Sequence, residues 1–403
     1  MKIRSICVGM AASWPVDTAA VQLAGQFLAR AARRYDDAGI EVQTTRLALS
    51  PFAEAGPLDD VSWVLPFARD LEAACQEHRI GFTSIGPIRW GRLGPEAGRR
   101  LAGALADAMI ATSQINGSIE TMNGGLPSGG AALAAGALVA RLARETPLGF
   151  GNFRFCTIAE CGPNIPFFPA AYHGDGPPRF TIGLQAADDV RRAFAGAGTL
   201  DDLERRLGET LGAEVARVET VARALEAESG LAYGGTDLTP APFTADEVSS
   251  AGMLEDLGVG EFGASGTLAA ASALTRMLKR LPLAQVGYSG LMLPVLEDSI
   301  LAARASAGLA SVSELLLYSA VCGTGLDTVP LPGDATAEEL AAIILDVTAM
   351  ALTLRKPLSC RLFPVPGKAA GERTEYDSPY LVNGSVLPLE GRVDARLFER
   401  FAP

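Results

Sequence analysis

Two adjoining stretches decide the reading of the fold. Asn152-Phe153-Arg154-Phe155-Cys156-Thr157-Ile158-Ala159-Glu160-Cys161 has the apolar, β-branched character of a strand. Behind it runs Gly162-Pro163-Asn164-Ile165-Pro166-Phe167-Phe168-Pro169-Ala170-Ala171-Tyr172-His173-Gly174-Asp175-Gly176-Pro177-Pro178-Arg179, rich in Pro and Gly, before Phe180–Leu184 resumes a strand pattern. Irregular connections beyond about 12–15 residues in a compact domain are usually functional. This loop is therefore the first place to look for a site.

Outward from it, short apolar runs alternate with helical periodicity. Strands are expected at Ile3–Val8, Glu41–Leu49, Gly81–Ile88, Ile110–Asn116, Leu231–Asp237, Val286–Pro294, Val321–Val329 and Cys360–Val365 as well, ten in all. The first helical stretch carries Val21, Ala24, Leu28, Ala32 and Tyr35 on one stripe. Strands separated by crossover helices imply parallel pairing with helices covering the sheet. No linker, repeat or low-complexity segment divides the chain. The expectation is one α/β domain over residues 1–403, a ten-stranded β/α barrel, with an open doubly wound sheet as the alternative.

Composition narrows the function. Of 403 residues 48% are hydrophobic and 20% charged, ordinary for a globular chain. Lys and Arg number 34 against 46 Asp and Glu, a net charge of −12. That balance argues against partners such as nucleic acid or an anionic membrane surface. The most lipid-like stretch, Ala131 to Ala140, is far short of the ~20 apolar residues a span requires. The six dispersed cysteines look like buried thiols, and a cytoplasmic, reducing location is expected.

Parallel α/β folds place their sites at the carboxyl ends of strands. By that rule Glu120, Glu160, Asp237, Glu297, Asp298 and Asp327 collect around one mouth. Four of them, Asp237, Glu297, Asp298 and Asp327, are expected to hold a hard divalent cation, Mg, Ca or Mn. The competing role for Asp298 is helix N-cap, and for Asp327 a turn. Only two histidines exist, so a three-imidazole zinc site cannot be built. His78 ends a helical run, which leaves His173 as the candidate acid/base, with Glu160 nearby. Cys161 borders the loop and Cys322 opens the ninth strand; each is a candidate nucleophile or a small buried hydrophobe. Arg361, Lys368 and Tyr172 are candidates for binding an anionic substrate. Gly258-Val259-Gly260-Glu261-Phe262-Gly263 spells G-x-G-x-x-G but follows a helix, so neither nicotinamide nor flavin is expected.

Several runs together resemble an uncharacterised microbial family, domain of unknown function 711. They are Asn152–Phe155, Pro166–His173, Gly234–Leu238, Gly287–Asp298, Cys322–Asp327, Lys356–Leu358 and Arg361–Lys368. The resemblance implies a ten-stranded barrel similar to pyruvate formate-lyase and the ribonucleotide reductase large subunit. In those barrels a finger loop between strands five and six carries a reactive cysteine inward, and the equivalent here is about 161–179. The glycyl radical does not carry over: Gly391-Arg392-Val393-Asp394 is followed by Ala395 and Arg396, with no glycine to hold it. The expected protein is a non-radical enzyme, a metal-dependent lyase or hydrolase, acting on a small anionic or carbonyl metabolite. A non-catalytic small-molecule-binding or regulatory protein on the same barrel is the alternative, and a homo-oligomer is compatible with either.

Overall fold

A computed structural model describes residues 1–401. Its first strand, β1 (Lys2–Met10), is buried at every position after Lys2, as expected of a strand covered on both faces. Beside it lie β2 (Thr45–Leu49), β3 (Phe82–Arg89), β4 (Ile115–Glu120) and β5 (Phe155–Ala159), each parallel to the last. The later strands β6 (Arg179–Gln185) and β7 (Ala232–Asp237) pair with each other in parallel, and β6 joins β1 antiparallel. At the other edge β8 (Gly325–Pro332) pairs in parallel with β9 (Leu358–Val365), which joins β5 antiparallel. One nine-stranded sheet results, in the order β8-β9-β5-β4-β3-β2-β1-β6-β7.

The expected eighth strand is the main correction. Val286–Pro294 does not form a ladder, because Gly287 and Ser289 take positive φ, 66° and 42°, and break the pleat. The segment still touches both sheet edges: Thr236 of β7 makes a parallel bridge to Gln285, and Asp327 of β8 makes one to Pro294. Smaller corrections are local. The helix Pro95–Ala111 overruns the expected start of β4 at Ile110. Short 3₁₀ turns occupy Pro147–Arg154, so β5 begins at Phe155 rather than Asn152.

Helix α1 (Thr18–Asp37) starts where the Asp17 side chain accepts from the Ala20 amide, and buries Val21, Ala24, Leu28 and Tyr35. Ala31 rather than Ala32 completes the stripe. The long α2 (Leu200–Ser229) packs on α1, and the Tyr35 hydroxyl donates to the Val218 carbonyl at 3.0 Å. No described helix is long and apolar enough to cross a membrane.

The long loop after β5 folds back onto the sheet. Ser5 Oγ of β1 donates to the Pro166 carbonyl at 2.9 Å, and Ser84 Oγ of β3 donates to the Ala171 carbonyl at 2.6 Å. Such bonds satisfy backbone groups that a buried loop would otherwise leave unpaired. Gly183 of β6 admits the Phe167 ring, which a Cβ there would meet at 3.2 Å. Cys156, Ile158, Phe167, Tyr172, Tyr288 and Met292 then pack as one apolar cluster around the loop.

Candidate functional site: a buried arginine cluster

Antiparallel joining of the two strand groups decides where a site can sit. Lys2 of β1 pairs with Gln185 at the end of β6, and Gly9 pairs with Arg179 at its start. One rim of the sheet therefore gathers the amino ends of β1–β4 together with the chain leaving β6 and β7. A cavity of about 300 Å³ opens at that rim. Arg4, Arg46, Arg361, Glu297 and Asp327 line it, together with aromatic side chains from five separate segments.

Arg361, on β9, is the hub. Its Nε donates to Asp327 Oδ1 at 2.5 Å, an Nη donates to Glu297, and the other Nη reaches the Phe153 carbonyl at 3.1 Å. Burial opposes the guanidinium charge, but Asp327 and Glu297 more than offset it and hold its pKa above the ordinary value. Arg4 Nη2 donates to Glu297 Oε2 at 2.9 Å, and its Nη1 donates to Gln43 Oε1 at 3.2 Å. Burial lowers the Arg4 pKa despite Glu297. It raises that of Asp327, with Arg361 working in the opposite direction.

Arg46 differs from both. Its Nε donates to Thr44 Oγ1 at 2.9 Å, and its other N–H groups meet no acceptor among the described residues. The guanidinium lies over the Phe82 and Phe168 rings, 5.6 and 5.1 Å from their centroids. Burial, then repulsion from Arg4, brings its pKa down to about 9. Three guanidinium groups thus face two carboxylates, leaving one positive charge in excess. Glu41 also borders the cavity but is exposed and paired with Lys2 at 2.6 Å.

Of the sequence candidates, Glu297, Asp327 and Arg361 come together here. The other two expected metal ligands lie elsewhere and their oxygens are engaged. Asp237 accepts from the amides of Thr239, Tyr288 and Ser289 at 2.8–2.9 Å, fixing the irregular segment against β7. Asp298 is the N-cap of α3 (Ser299–Ser306) and also binds Ser249, Ser250 and Ala251, the role weighed against metal ligation. Arg361 sits between Glu297 and Asp327. Among the described residues no group of three or more His, Cys, Asp or Glu is arranged to hold a metal ion. The expected four-acid cation site does not fit this geometry.

The remaining candidates are also outside the cavity. His173 packs at the opposite end of β1, where its amide bonds the Leu49 carbonyl and its ring nearly touches Gly9. It is buried, and burial lowers its pKa. Tyr172 donates to the Cys161 carbonyl at 3.0 Å, with the Arg89 guanidinium over its ring. Glu160 is exposed and turns the chain at φ 55°. Lys368 pairs with Glu375 at 3.0 Å. Cys322 Sγ accepts from the Gly325 amide, and Cys161 Sγ lies 3.4 Å from the Leu358 carbonyl.

Burial pushes the Cys161 thiol up to about 12, with the Tyr288 hydroxyl only partly opposing it. All six cysteines are buried. We expect iodoacetamide at neutral pH to label none of them in the folded protein and all after denaturation, as read by intact mass. Rapid labelling of Cys161 alone would restore it as a nucleophile.

Sequence reading missed Arg4, Arg46 and the aromatic wall. The signal was available: Arg4 interrupts the apolar run Ile3–Val8, and Arg46 interrupts Glu41–Leu49. A charge inside a buried strand needs a partner or a function.

An α/β protein with an arginine-lined interior cavity is the class these features define. The chain matches the family model described as Uncharacterised ACR (DUF711) over residues 1–378, and it belongs to that family. Its relatives carry the name UPF0210 protein. That of Pyrobaculum aerophilum is 31% identical over 373 residues, covering 87% of this chain and 79% of the relative. That of Desulforudis audaxviator is 30% identical over 399 residues, covering 93% and 88%. A Neisseria meningitidis serogroup B relative is 28% identical over 365 residues, covering 87% and 80%.

Proposed function

We propose that the interior cavity binds a small anionic metabolite and that Asp327 then moves a proton to or from it. Arg46 carries the reading: a buried cation with aromatic rings beside it and no carboxylate partner is costly unless an anion completes it. Arg4 supplies a second guanidinium to the same space, and Arg361 holds Glu297 and Asp327 in place. Asp327, raised by burial, is the carboxyl group in this cavity with a shifted proton affinity. The same reading takes Gln285–Pro294 as a tenth stave closing the sheet into a barrel of the pyruvate formate-lyase kind. The bridges from its two ends to β7 and β8 support that closure. Charge transfer through a resident metal is not part of the proposal, because the acids that would ligate it are held by arginine and backbone amides.

A second reading, a non-catalytic binding protein, is favoured by the engagement of Glu297 with two arginines. Thermal shift of purified protein against a panel of metabolite anions tests binding. A ligand at 100 times its Kd should stabilise the fold by about 2.7 kcal/mol. Arg46→Met should lose the shift, and wild-type affinity should fall as pH rises past about 9, where the Arg46 charge is lost. An Arg46→Met variant that keeps the shift would remove Arg46 from the site. With a ligand in hand, Asp327→Asn separates the readings: an enzyme loses turnover and keeps binding, whereas a binding protein shows no turnover in either form.

A further inference from the structure

We propose that the anion this cavity takes is an organic monocarboxylate with a compact apolar body, held edge-on by the Arg46 fork, rather than a phosphate ester. The inference rests on the anion-binding reading above and adds the ligand's chemical class.

Three observations carry it. The first is the count of charge. Arg4, Arg46 and Arg361 face Glu297 and Asp327, so one negative charge neutralises the interior. A doubly charged phosphate would leave the same low-dielectric space with net negative charge, and buried charge without a counterpart is expensive. Glu41 does not alter the count, since it sits in solvent at the rim with Lys2.

The second is the geometry of Arg46. Phe82 and Phe168 lie against its guanidinium, and Nε is used by Thr44. What remains for a ligand is the pair of Nη groups in the guanidinium plane. A planar carboxylate matches that fork with two parallel N–H···O bonds. A tetrahedral phosphate is better served by several donors converging from different directions, such as the backbone amides of a helix N-terminus or nest.

The third is the apolar part of the lining. Phe167, Phe243 and Met292 line the cavity, and Tyr380 stacks on Phe153 with their centroids 5.8 Å apart. This surface has apolar faces and few hydroxyl partners, so it suits a ring or branched alkyl group better than a sugar. At about 300 Å³ the cavity is at the small end of ligand pockets, which limits the body to a single ring or a short branched chain.

The test is isothermal titration of the full-length protein with four probes: benzoate, 3-methylbutanoate, phenyl phosphate and inorganic phosphate. Both carboxylates should bind, and each should be at least about 30-fold weaker with Arg46→Met, the effect of removing one partner of a buried charged hydrogen-bond pair. Arg46→Lys, which keeps the charge and loses the fork, should fall between the two, and a melting curve shows whether each variant is folded. Phenyl phosphate should bind more weakly than benzoate to the wild type, a comparison that needs no variant. Phenyl or inorganic phosphate binding more tightly, and depending on Arg46, would overturn the monocarboxylate assignment while leaving the anion site intact. Binding of no probe at millimolar concentration, or binding indifferent to Arg46, would overturn the anion site as well.

Discussion

Arg361→Met lowers the unfolding free energy by about 3–5 kcal/mol, the cost expected when one member of a buried ion network is removed and the others stay. Arg361 donates to Asp327, to Glu297 and to the Phe153 carbonyl, and its side chain is 7% exposed. Methionine fills much of the volume, so the loss reports charge rather than a cavity. Two carboxylates are then buried with Arg4 still bonded to Glu297 and no arginine bonded to Asp327. The proton affinity of Asp327 in the folded state, already raised by burial, rises further without the Arg361 charge.

The sign of the pH dependence follows from linkage. A carboxyl group whose folded pKa lies above its unfolded value is stabilising at low pH, and that stability is lost as pH rises through the folded pKa. The deficit of Arg361→Met should therefore shrink on acidification from neutrality toward the range where Asp327 protonates. Urea unfolding at neutral pH and at mildly acidic pH measures both effects. A triple variant, Arg361→Met with Glu297→Gln and Asp327→Asn, should recover part of the loss, since it removes the stranded charges. A change below about 1 kcal/mol in the single variant, the range of exposed pairs, would mean that solvent already screens the network.

Asp298→Ala is the second large effect, at about 3 kcal/mol or more. Asp298 is fully buried and its two oxygens accept from Leu301 N at 3.0 Å, Ser249 Oγ at 2.5 Å, Ser250 N at 2.6 Å and Ala251 N at 3.2 Å. One side chain thus caps α3 and ties down the start of the short helix Ser250–Leu254. Alanine strands several buried donors, each worth about 1–3 kcal/mol when left unpaired, partly relieved by water and relaxation. Asp298→Asn keeps one accepting oxygen and should cost less than alanine. Dialysis of the wild type against EDTA should leave its melting temperature unchanged, because these oxygens are already satisfied by protein donors. A melting temperature that drops with EDTA and returns with Mg²⁺ would restore the carboxylate set as a cation site.

Much of the fold was legible locally. Nine of the ten expected strands exist, because each is an apolar run bounded by turn residues, which is a short-range property. The run at Val286–Pro294 misled for the same reason. Its apolar content reads as a strand, but Gly287 and Ser289 turn left-handed, with Asp237 binding the amides of Tyr288 and Ser289 across the fold. Asp298 shows the converse: an acid just before a helical run is an N-cap by local rules, and that role is the one the structure has.

What the chain determined by itself is its family, its α/β alternation, the long irregular loop after the fifth strand, and two of the four acids, Glu297 and Asp327, that do meet, with Arg361. Tertiary structure alone decided which end of the strands holds the cavity. The first five strands run parallel, but long-range ladders at β1/β6 and β5/β9 attach the later strands in the opposite sense. Amino ends of one group therefore stand beside carboxyl ends of the other, and a rule for all-parallel sheets sends His173 to the wrong rim. Arg4 and Arg46 gain their meaning in the same way. A guanidinium in an apolar strand is an anomaly in sequence, and it becomes an anion seat only when chain folding sets Phe168, Glu297 and Arg361 around it.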